Sequence, residues 1–242
     1  MKERTIEKIM ENYPYLIKFQ GIGQNVKDEY AKNLMEKGQL YFQSVETYIK
    51  LELEQNKKGQ GDAREVNLLW NTVRVGLERP VYCMYSVKNE DVIDQTRIII
   101  NNKVVKDFCE NDGFLTICKT MDFINQFISV WDSECNMGRV CYMLRNFEKD
   151  QQIFTDGGAH FYKDPWFSYQ NEFRIVLDKV LDREDVPYEE TPNINPYFIE
   201  KGLHCKRYKP FILEIGNISK FSKQFSKCDL RSFDETHVYI DI

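Results

Sequence analysis

The most constraining feature of this sequence is the stretch from Phe161 to Leu177, which reads FYKDPWFSYQNEFRIVL. From Gln170 onward, polar and apolar residues alternate. Neighbouring side chains of a strand point to opposite faces of a sheet. The alternation therefore predicts a strand with one apolar face, which enters a core, and one polar face. The apolar members are Phe173, Ile175 and Leu177. The polar members are Gln170, Glu172 and Arg174.

The polar face of this strand has two interpretations. An amide, a carboxylate and a guanidinium in one row lie about 6.6 Å apart along a strand, so two of them can contact one small polar ligand. The other interpretation is a half-buried strand with a solvated outer face. Glu172 and Arg174 then form an incidental ion pair, worth under about 1 kcal/mol. The residues alone leave both interpretations open.

The composition is that of a folded protein. Hydrophobic residues make up 42% and aromatic residues 14% of the 242 residues, which argues against disorder. The length suits a single domain over residues 1–242. No apolar run reaches the roughly 18 residues that span a bilayer, and the N-terminus has no apolar segment of a signal peptide. We therefore expect a cytoplasmic protein with no membrane partner.

Charge and cysteine usage exclude some classes of site. The net charge of -5 gives no general attraction for nucleic acids. The chain has seven cysteines and three histidines, without a C-x-x-C pair. A structural zinc site needs four ligands at close spacing, and no such set is present. We interpret the cysteines as reduced packing residues and expect no bound metal.

Hydrophobic spacing and turn residues predict an α+β chain, with mixed or antiparallel sheets and peripheral helices. The predicted strands are Tyr15–Gln20, Gln39–Ser44, Arg79–Val87, Phe114–Cys118, Arg139–Leu144, Phe211–Ile215 and His237–Ile242. The predicted helices are Thr5–Asn12, Val26–Glu36, Val45–Glu54 and Asp122–Trp131. Ser44 is placed to cap the third of these helices. The pair Asn101-Asn102 predicts a hairpin turn within a β-rich run from Thr96 to Val105.

Three blocks of the sequence resemble a family of bacterial and phage proteins. The blocks are Glu36–Glu52 (EKGQLYFQSVETYIKLE), the GD-x-x-E motif formed by Gly61, Asp62 and Glu65, and the Y-x-x-EFR block from Tyr169 to Ile175. The resemblance covers most of the chain. It supports the boundaries of the predicted elements and implies no particular activity.

A more distant resemblance is to the ADP-ribosyltransferase fold, which includes toxins that modify nucleic acids. It rests on the order strand, helix, then a strand with a serine and aromatic block, followed later by a Q-x-E that opens a strand. The Q-x-E is formed here by Gln170 and Glu172. The resemblance implies that Glu172 stabilises the transition state in which NAD is cleaved, and that Gln170 orients the acceptor of the ADP-ribose.

The same resemblance implies a set of NAD-binding residues. Ser44 and Tyr48 correspond to the serine and aromatic block. Lys18 corresponds to the residue of the first strand that holds NAD, where the fold has arginine or histidine. Lysine offers a point charge without the planar fork of arginine. Arg174 shares a face with Glu172 and is assigned to the same cofactor site.

Two functions follow as hypotheses. The first is an ADP-ribosyltransferase-like enzyme that uses NAD, acts on a nucleic-acid or protein acceptor, and serves as a toxin or in phage defence. The alternative is a non-catalytic interaction protein of phage or mobile-element origin that binds a host partner through an aromatic surface. The aromatic residues are Tyr162, Trp166, Phe167 and Tyr169. A polar row that lines a concave pocket favours the enzyme, and a flat exposed row favours the binding protein.

Overall fold

The computed structural model describes residues 11–20, 27–45, 47–48, 79–109, 113–143, 158–179, 181–185 and 206–242. Within these residues the chain is α+β, as the sequence predicts, with helices packed on antiparallel sheets. The helices are α1 (Lys27–Lys37), α2 (Asn102–Phe108) and α3 (Thr120–Val130). None of the described helices is long and apolar enough to cross a membrane.

The strands are short and numerous. In chain order they are β1 (Tyr15–Gln20), β2 (Gln39–Ser44), β3 (Pro80–Val87), β4 (Val92–Ile93), β5 (Arg97–Asn101), β6 (Phe114–Lys119), β7 (Cys135–Arg139), β8 (Cys141–Tyr142), β9 (Tyr162–Lys163), β10 (Glu172–Leu177), β11 (Arg183–Asp185), β12 (Lys206–Tyr208), β13 (Phe211–Glu214), β14 (Ser222–Ser226), β15 (Arg231–Ser232) and β16 (His237–Asp241). Short 3₁₀ helices at Gly158–Phe161 and Pro165–Gln170 precede β9 and β10 respectively.

Eight strands form the main sheet. Six of them have the order β13-β2-β3-β1-β6-β14. β10 pairs with β3 on one side and with β7 on the other. Tyr85 of β3 pairs with both Ile17 of β1 and Glu172 of β10, so β1 and β10 lie on opposite edges of β3. A second sheet has the order β15-β16-β5-β4. The strands of both sheets pair antiparallel, whereas β8 and β9 form a short parallel pair.

Two hydrophobic cores cover the two faces of the main sheet. One core packs residues of β1, β3 and β10 against Leu34 of α1 and Phe123 and Phe127 of α3. The other packs the opposite face against the second sheet and α2, with Ile100 and Val104 among its members. Because both faces are covered, the central strands are buried on both sides.

Most predicted strands are confirmed to within one or two residues. The predictions over residues 15–20, 39–44 and 79–87 match β1, β2 and β3, and those near residues 114, 211 and 237 match β6, β13 and β16. Helices α1 and α3 begin and end within two residues of their predicted bounds. The helix predicted over residues 5–12 lies almost wholly outside the described residues. Of the helix predicted over residues 45–54, residues 45, 47 and 48 are described, and they are helical.

Two predictions are wrong. Asn101 does not begin a hairpin, because its side chain accepts a hydrogen bond from the backbone nitrogen of Lys103 at 2.9 Å and caps α2. The strand predicted over residues 139–144 is instead the end of β7 followed by β8. The chain changes partner there, because β7 pairs with β10 and β8 pairs with β9.

The register predicted for the Phe161–Leu177 stretch is confirmed for its apolar face. Phe173, Ile175 and Leu177 are at most 1% exposed and belong to the first core. The strand begins at Glu172 rather than at Gln170, because Gln170 ends a 3₁₀ helix and Asn171 adopts a left-handed conformation with φ of 41°.

Replacing Phe173 by alanine tests this register. Phe173 is 1% exposed, and truncating a buried phenylalanine costs about 3 to 5 kcal/mol of unfolding free energy. The matched control is Phe233→Ala, because Phe233 is 47% exposed and should lose well under half as much. Urea unfolding of both variants measures the difference, and equal losses would show that the assigned register is wrong.

Candidate functional site

The main sheet splits along one edge of β3. β1 pairs with β3 through residues 85–87, and β2 pairs with it through residues 80 and 81. Among the described residues, no strand pairs with residues 82–84 on this edge. The side chain of Lys18 reaches into the gap instead, and its Nζ donates a hydrogen bond of 2.8 Å to the carbonyl oxygen of Cys83. The Lys18 ammonium also lies 4.4 Å from the centroid of the Tyr82 ring.

The residues beside this gap are less completely buried than the rest of β3. Cys83 is the one partly exposed residue of β3, although it lies in the middle of a central strand. Lys18 of β1 and Tyr48, in the helical residues that follow β2, are also partly exposed. The strand pairing is therefore interrupted here, and the side chains beside the interruption are not fully buried.

Glu172 and Arg174 lie on the same face of the sheet as Cys83. Cys83 and Arg174 are direct partners across the antiparallel pair, as are Tyr85 and Glu172, and direct partners share a face. Glu172 is 8% exposed and Arg174 is 3% exposed. The prediction that these residues share a face is confirmed, but a solvated outer face is excluded, because both side chains lie inside the protein.

The carboxylate of Glu172 is held by several donors. Nε of Arg174 donates to Oε1 at 2.7 Å, and Nη2 of Arg174 donates to Oε2 at 3.1 Å. The ammonium of Lys163 donates to Oε2 at 3.1 Å. The thiol of Cys83 is close enough to interact with the same carboxylate. A carboxylate accepts about four hydrogen bonds, and Arg174 and Lys163 supply three of them.

The balance of burial and charge keeps Glu172 ionised. Burial alone would raise the pKa of this carboxyl, but the positive charges of Arg174 and Lys163 outweigh it and hold the pKa well below its usual range. The carboxylate is thus a fixed negative charge in a region that is largely dry.

Lys163 joins the two residues of the Q-x-E motif. Its ammonium donates to Oε1 of Gln170 at 2.8 Å as well as to Glu172, and Lys163 is 2% exposed. The motif is therefore brought together by a third side chain and not by strand alternation, because Gln170 precedes the strand. Sequence reasoning missed Lys163. A lysine among aromatic residues carries no periodic signal of its own.

Burial and the charge of Glu172 shift the pKa values of three neighbouring side chains. Burial, and after it the negative charge of Glu172, raises the pKa of Cys83 far above that of an ordinary thiol, so Cys83 is not an activated nucleophile. Burial also raises the pKa of Tyr48, with contributions from Cys83 and Glu172. The pKa of Lys18 is lowered by burial, and the negative charge of Glu172 partly opposes this.

The structure thus brings together five of the six residues that the sequence predicted for the site. These are Lys18, Tyr48, Gln170, Glu172 and Arg174. Ser44 has another role, because its Oγ accepts a hydrogen bond of 3.1 Å from the backbone nitrogen of Thr47 at the start of the following helix. That is the capping role also predicted for Ser44.

His160 is a second residue that sequence reasoning missed. It is 1% exposed, and neither of its ring nitrogens has a hydrogen-bond partner among the described residues. Its backbone oxygen accepts a hydrogen bond of 2.5 Å from Nη1 of Arg174. Burial, with the charges of Arg174 and Arg79, lowers the pKa of His160 to about 3. The imidazole is therefore neutral at physiological pH.

The described residues contain no group of three His, Cys, Asp or Glu side chains placed to hold a metal ion. Comparison of the chain with protein families, with curated proteins and with solved structures finds no match.

Replacing His160 by phenylalanine tests whether the imidazole is buried, through the pH dependence of the free energy of unfolding. The unfolded chain takes up a proton near pH 6.5 and the folded protein only near pH 3. The free energy of unfolding is therefore not reduced by His160 above pH 6.5. Below that pH, the cost of keeping this imidazole neutral lowers the free energy of unfolding by about 1.4 kcal/mol per pH unit. His160→Phe should flatten this part of the stability profile. Guanidinium unfolding at several pH values between about 7 and about 4 measures it.

The matched control is His237→Gln. The side chain of His237 is 38% exposed, so this variant removes a histidine without changing a buried one. An unchanged slope in His160→Phe would contradict the buried, neutral state of His160.

Proposed function

We propose that this protein cleaves NAD and transfers its ADP-ribose to an acceptor, with an ADP-ribosyltransferase-like arrangement of the sheet. The single observation that carries the proposal is a carboxylate, Glu172, kept ionised by two buried cations beside an interruption in the pairing of a central strand. The resemblance in the sequence assigns the catalytic role to this same residue. The resemblance to the ADP-ribosyltransferase fold, which includes toxins, implies a role as a toxin or in phage defence.

The chemistry requires a fixed negative charge. When the bond between the ribose C1′ and the nicotinamide nitrogen breaks, the electron pair goes to nicotinamide and neutralises its ring. Positive charge then develops on the ribose. A preorganised carboxylate stabilises that charge without reorganising, and losing such a group costs around 100-fold to 1,000-fold in turnover. An acceptor oxygen or nitrogen then bonds to C1′ and releases its proton to water.

Glu172 can meet the ribose through a hydrogen bond that its described donors leave unfilled. Arg174 and Lys163 donate three of the roughly four hydrogen bonds that a carboxylate accepts. Cys83, the partly exposed residue of β3, lies on the same face of the sheet. In this proposal a ribose hydroxyl that enters beside Cys83 donates to Glu172 without disturbing Arg174 or Lys163. Substrate binding at the gap therefore keeps the carboxylate charged and aligned.

The remaining residues of the gap have binding roles. Lys18 supplies positive charge for the diphosphate of NAD, and Tyr48 lines the opening beside it. Arg174 holds Glu172 in place and also contacts the cofactor in this proposal. Gln170 lies next to Glu172 through Lys163 and orients the acceptor, whose class is a nucleic acid or a protein.

A second candidate function, partner binding through aromatic side chains, is favoured by one observation. Trp166 is 74% exposed, and the ammonium of Lys103 lies 5.3 Å from the centroid of its ring. The other aromatic residues of this segment are half-buried, with the hydroxyl of Tyr169 bonded to Asp107 at 2.6 Å. Trp166→Ala, which removes the exposed ring alone, should abolish partner binding if this second function holds.

Incubating the purified protein with NAD and cell extract tests the enzyme. We expect release of nicotinamide by the wild type and a loss of about 100-fold or more in Glu172→Asp. Aspartate keeps the charge for Arg174 and Lys163 but withdraws the carboxylate from the ribose, so this variant should fold. Glu90→Gln is the control, because Glu90 is an exposed carboxylate whose ion pair with Lys88 lies on the surface.

Glu172→Gln provides a second measurement. It leaves buried cations without their anion, and breaking a buried pair costs about 3 to 5 kcal/mol, so this variant should melt well below the wild type. Wild-type protein that neither binds nor consumes NAD would remove the enzyme proposal. Full activity in Glu172→Asp would remove Glu172 from it.

A further inference from the structure

We propose that Lys163 is the positioning residue of this site, because its buried ammonium holds Glu172 and Gln170 together and fixes the orientation of the Gln170 amide. The expected effect of Lys163 on turnover rests on the function proposed above. The contacts themselves belong to the structure and can be tested separately.

The ammonium, the carboxylate and the amide differ in which hydrogen bonds they can make. An ammonium can only donate hydrogen bonds, and a carboxylate can only accept them. Oε1 of Gln170 and Oε2 of Glu172 lie 2.8 and 3.1 Å from Nζ of Lys163. Without the ammonium, two oxygens that both carry negative charge would face each other. Lys163 is therefore what allows the amide and the carboxylate to lie side by side.

These differences fix the direction of the hydrogen bonds that follow. Because Lys163 can only donate, the oxygen end of Gln170 must face it. Nε2 of Gln170 then faces the hydroxyl oxygen of Tyr169, at 3.5 Å. The Tyr169 hydroxyl in turn donates to Oδ2 of Asp107 at 2.6 Å. An ammonium at one end and a carboxylate at the other leave a single consistent direction for the chain.

Local backbone structure brings Lys163 to the site. Lys163 lies in β9, which pairs in parallel with β8. The 3₁₀ helix that follows is capped by Asp164, whose Oδ1 accepts a hydrogen bond of 2.9 Å from the nitrogen of Trp166. This helix returns the chain to Gln170, and the left-handed Asn171 directs it into β10. The Lys163 ammonium also lies 5.1 Å from the centroid of the Phe167 ring.

Lys163→Met tests the proposal, because methionine keeps most of the apolar stem and removes the charge. We expect turnover of NAD to fall about 10-fold to 100-fold, as for other residues that orient a functional group, while the KM for NAD changes less than about 3-fold. The matched control is Lys179→Met. Lys179 is exposed and its ammonium lies 3.9 Å from the Phe211 ring, on a different part of the sheet.

Two NMR readouts do not depend on activity. A ¹³C titration of the Glu172 carboxyl should move to higher pH in Lys163→Met, since one of its two cations is gone. The side-chain amide resonances of Gln170 should shift and lose protection from hydrogen exchange. Lys179→Met should change neither. If Lys163→Met does not fold, the same two measurements are made on Lys163→Gln. Its amide can still donate but carries no charge, so the Glu172 titration should again move to higher pH.

The outcomes separate this proposal from the function. An inactive wild type with both NMR changes in Lys163→Met removes the enzyme and keeps Lys163 as the residue that positions the pair. An active wild type whose Lys163→Met variant keeps its turnover, its Glu172 titration and its Gln170 amide signals overturns the role of Lys163. A variant that only melts earlier, with those three readouts unchanged, also overturns it.

Discussion

The structure around β10 depends on one ionised carboxylate in the interior. Transferring an ion from water into a protein costs several kcal/mol even after relaxation, and the contacts of Glu172 with Arg174 and Lys163 offset that cost. Arg174 belongs to the same strand as Glu172, whereas Lys163 comes from β9 and also bonds Gln170 at the end of the 3₁₀ helix. The carboxylate and Lys163 therefore tie β9, the 3₁₀ helix and β10 into one unit, and loss of the carboxylate charge would affect all three.

In the proposed function, the gap in the main sheet is where a ligand approaches this carboxylate. β1 and β2 lie along the same edge of β3 but diverge, and Lys18 replaces the missing strand partner at Cys83. An open edge in the middle of a sheet leaves backbone groups that must find other partners. A lysine side chain can meet that need and can also carry charge toward a phosphate, which is the role proposed for Lys18 in binding NAD.

The sequence was a good guide where one local pattern decides the structure. Alternation places Phe173, Ile175 and Leu177 in the core, and the bounds of β1 and β2 follow from β-rich runs ended by glycine or by a helix start. It failed at Asn101, where an asparagine pair fits both a hairpin and a helix cap. The neighbouring chain decides between them, since the backbone nitrogen of Asn102 donates to the oxygen of Thr236.

The site itself could be predicted only in part. The order of Gln170, Glu172 and Arg174 is visible in the sequence, but alternating charges read equally well as a solvated face. The burial of that face depends on elements distant in the chain, and the same is true of Lys163, which reaches the pair through the pairing of β8 with β9. His160 carries no local signal, because one histidine near a strand is usual in any chain.

A structure of the protein bound to an NAD analogue with an uncleavable glycosidic bond would test the central claim most directly. The account predicts that the nicotinamide ribose lies at the gap beside residues 82–84 of β3. One of its hydroxyls should donate to Glu172 beside Cys83, with the diphosphate near Lys18. An analogue bound elsewhere on the protein, or no analogue at the gap when the analogue is in excess, would contradict it.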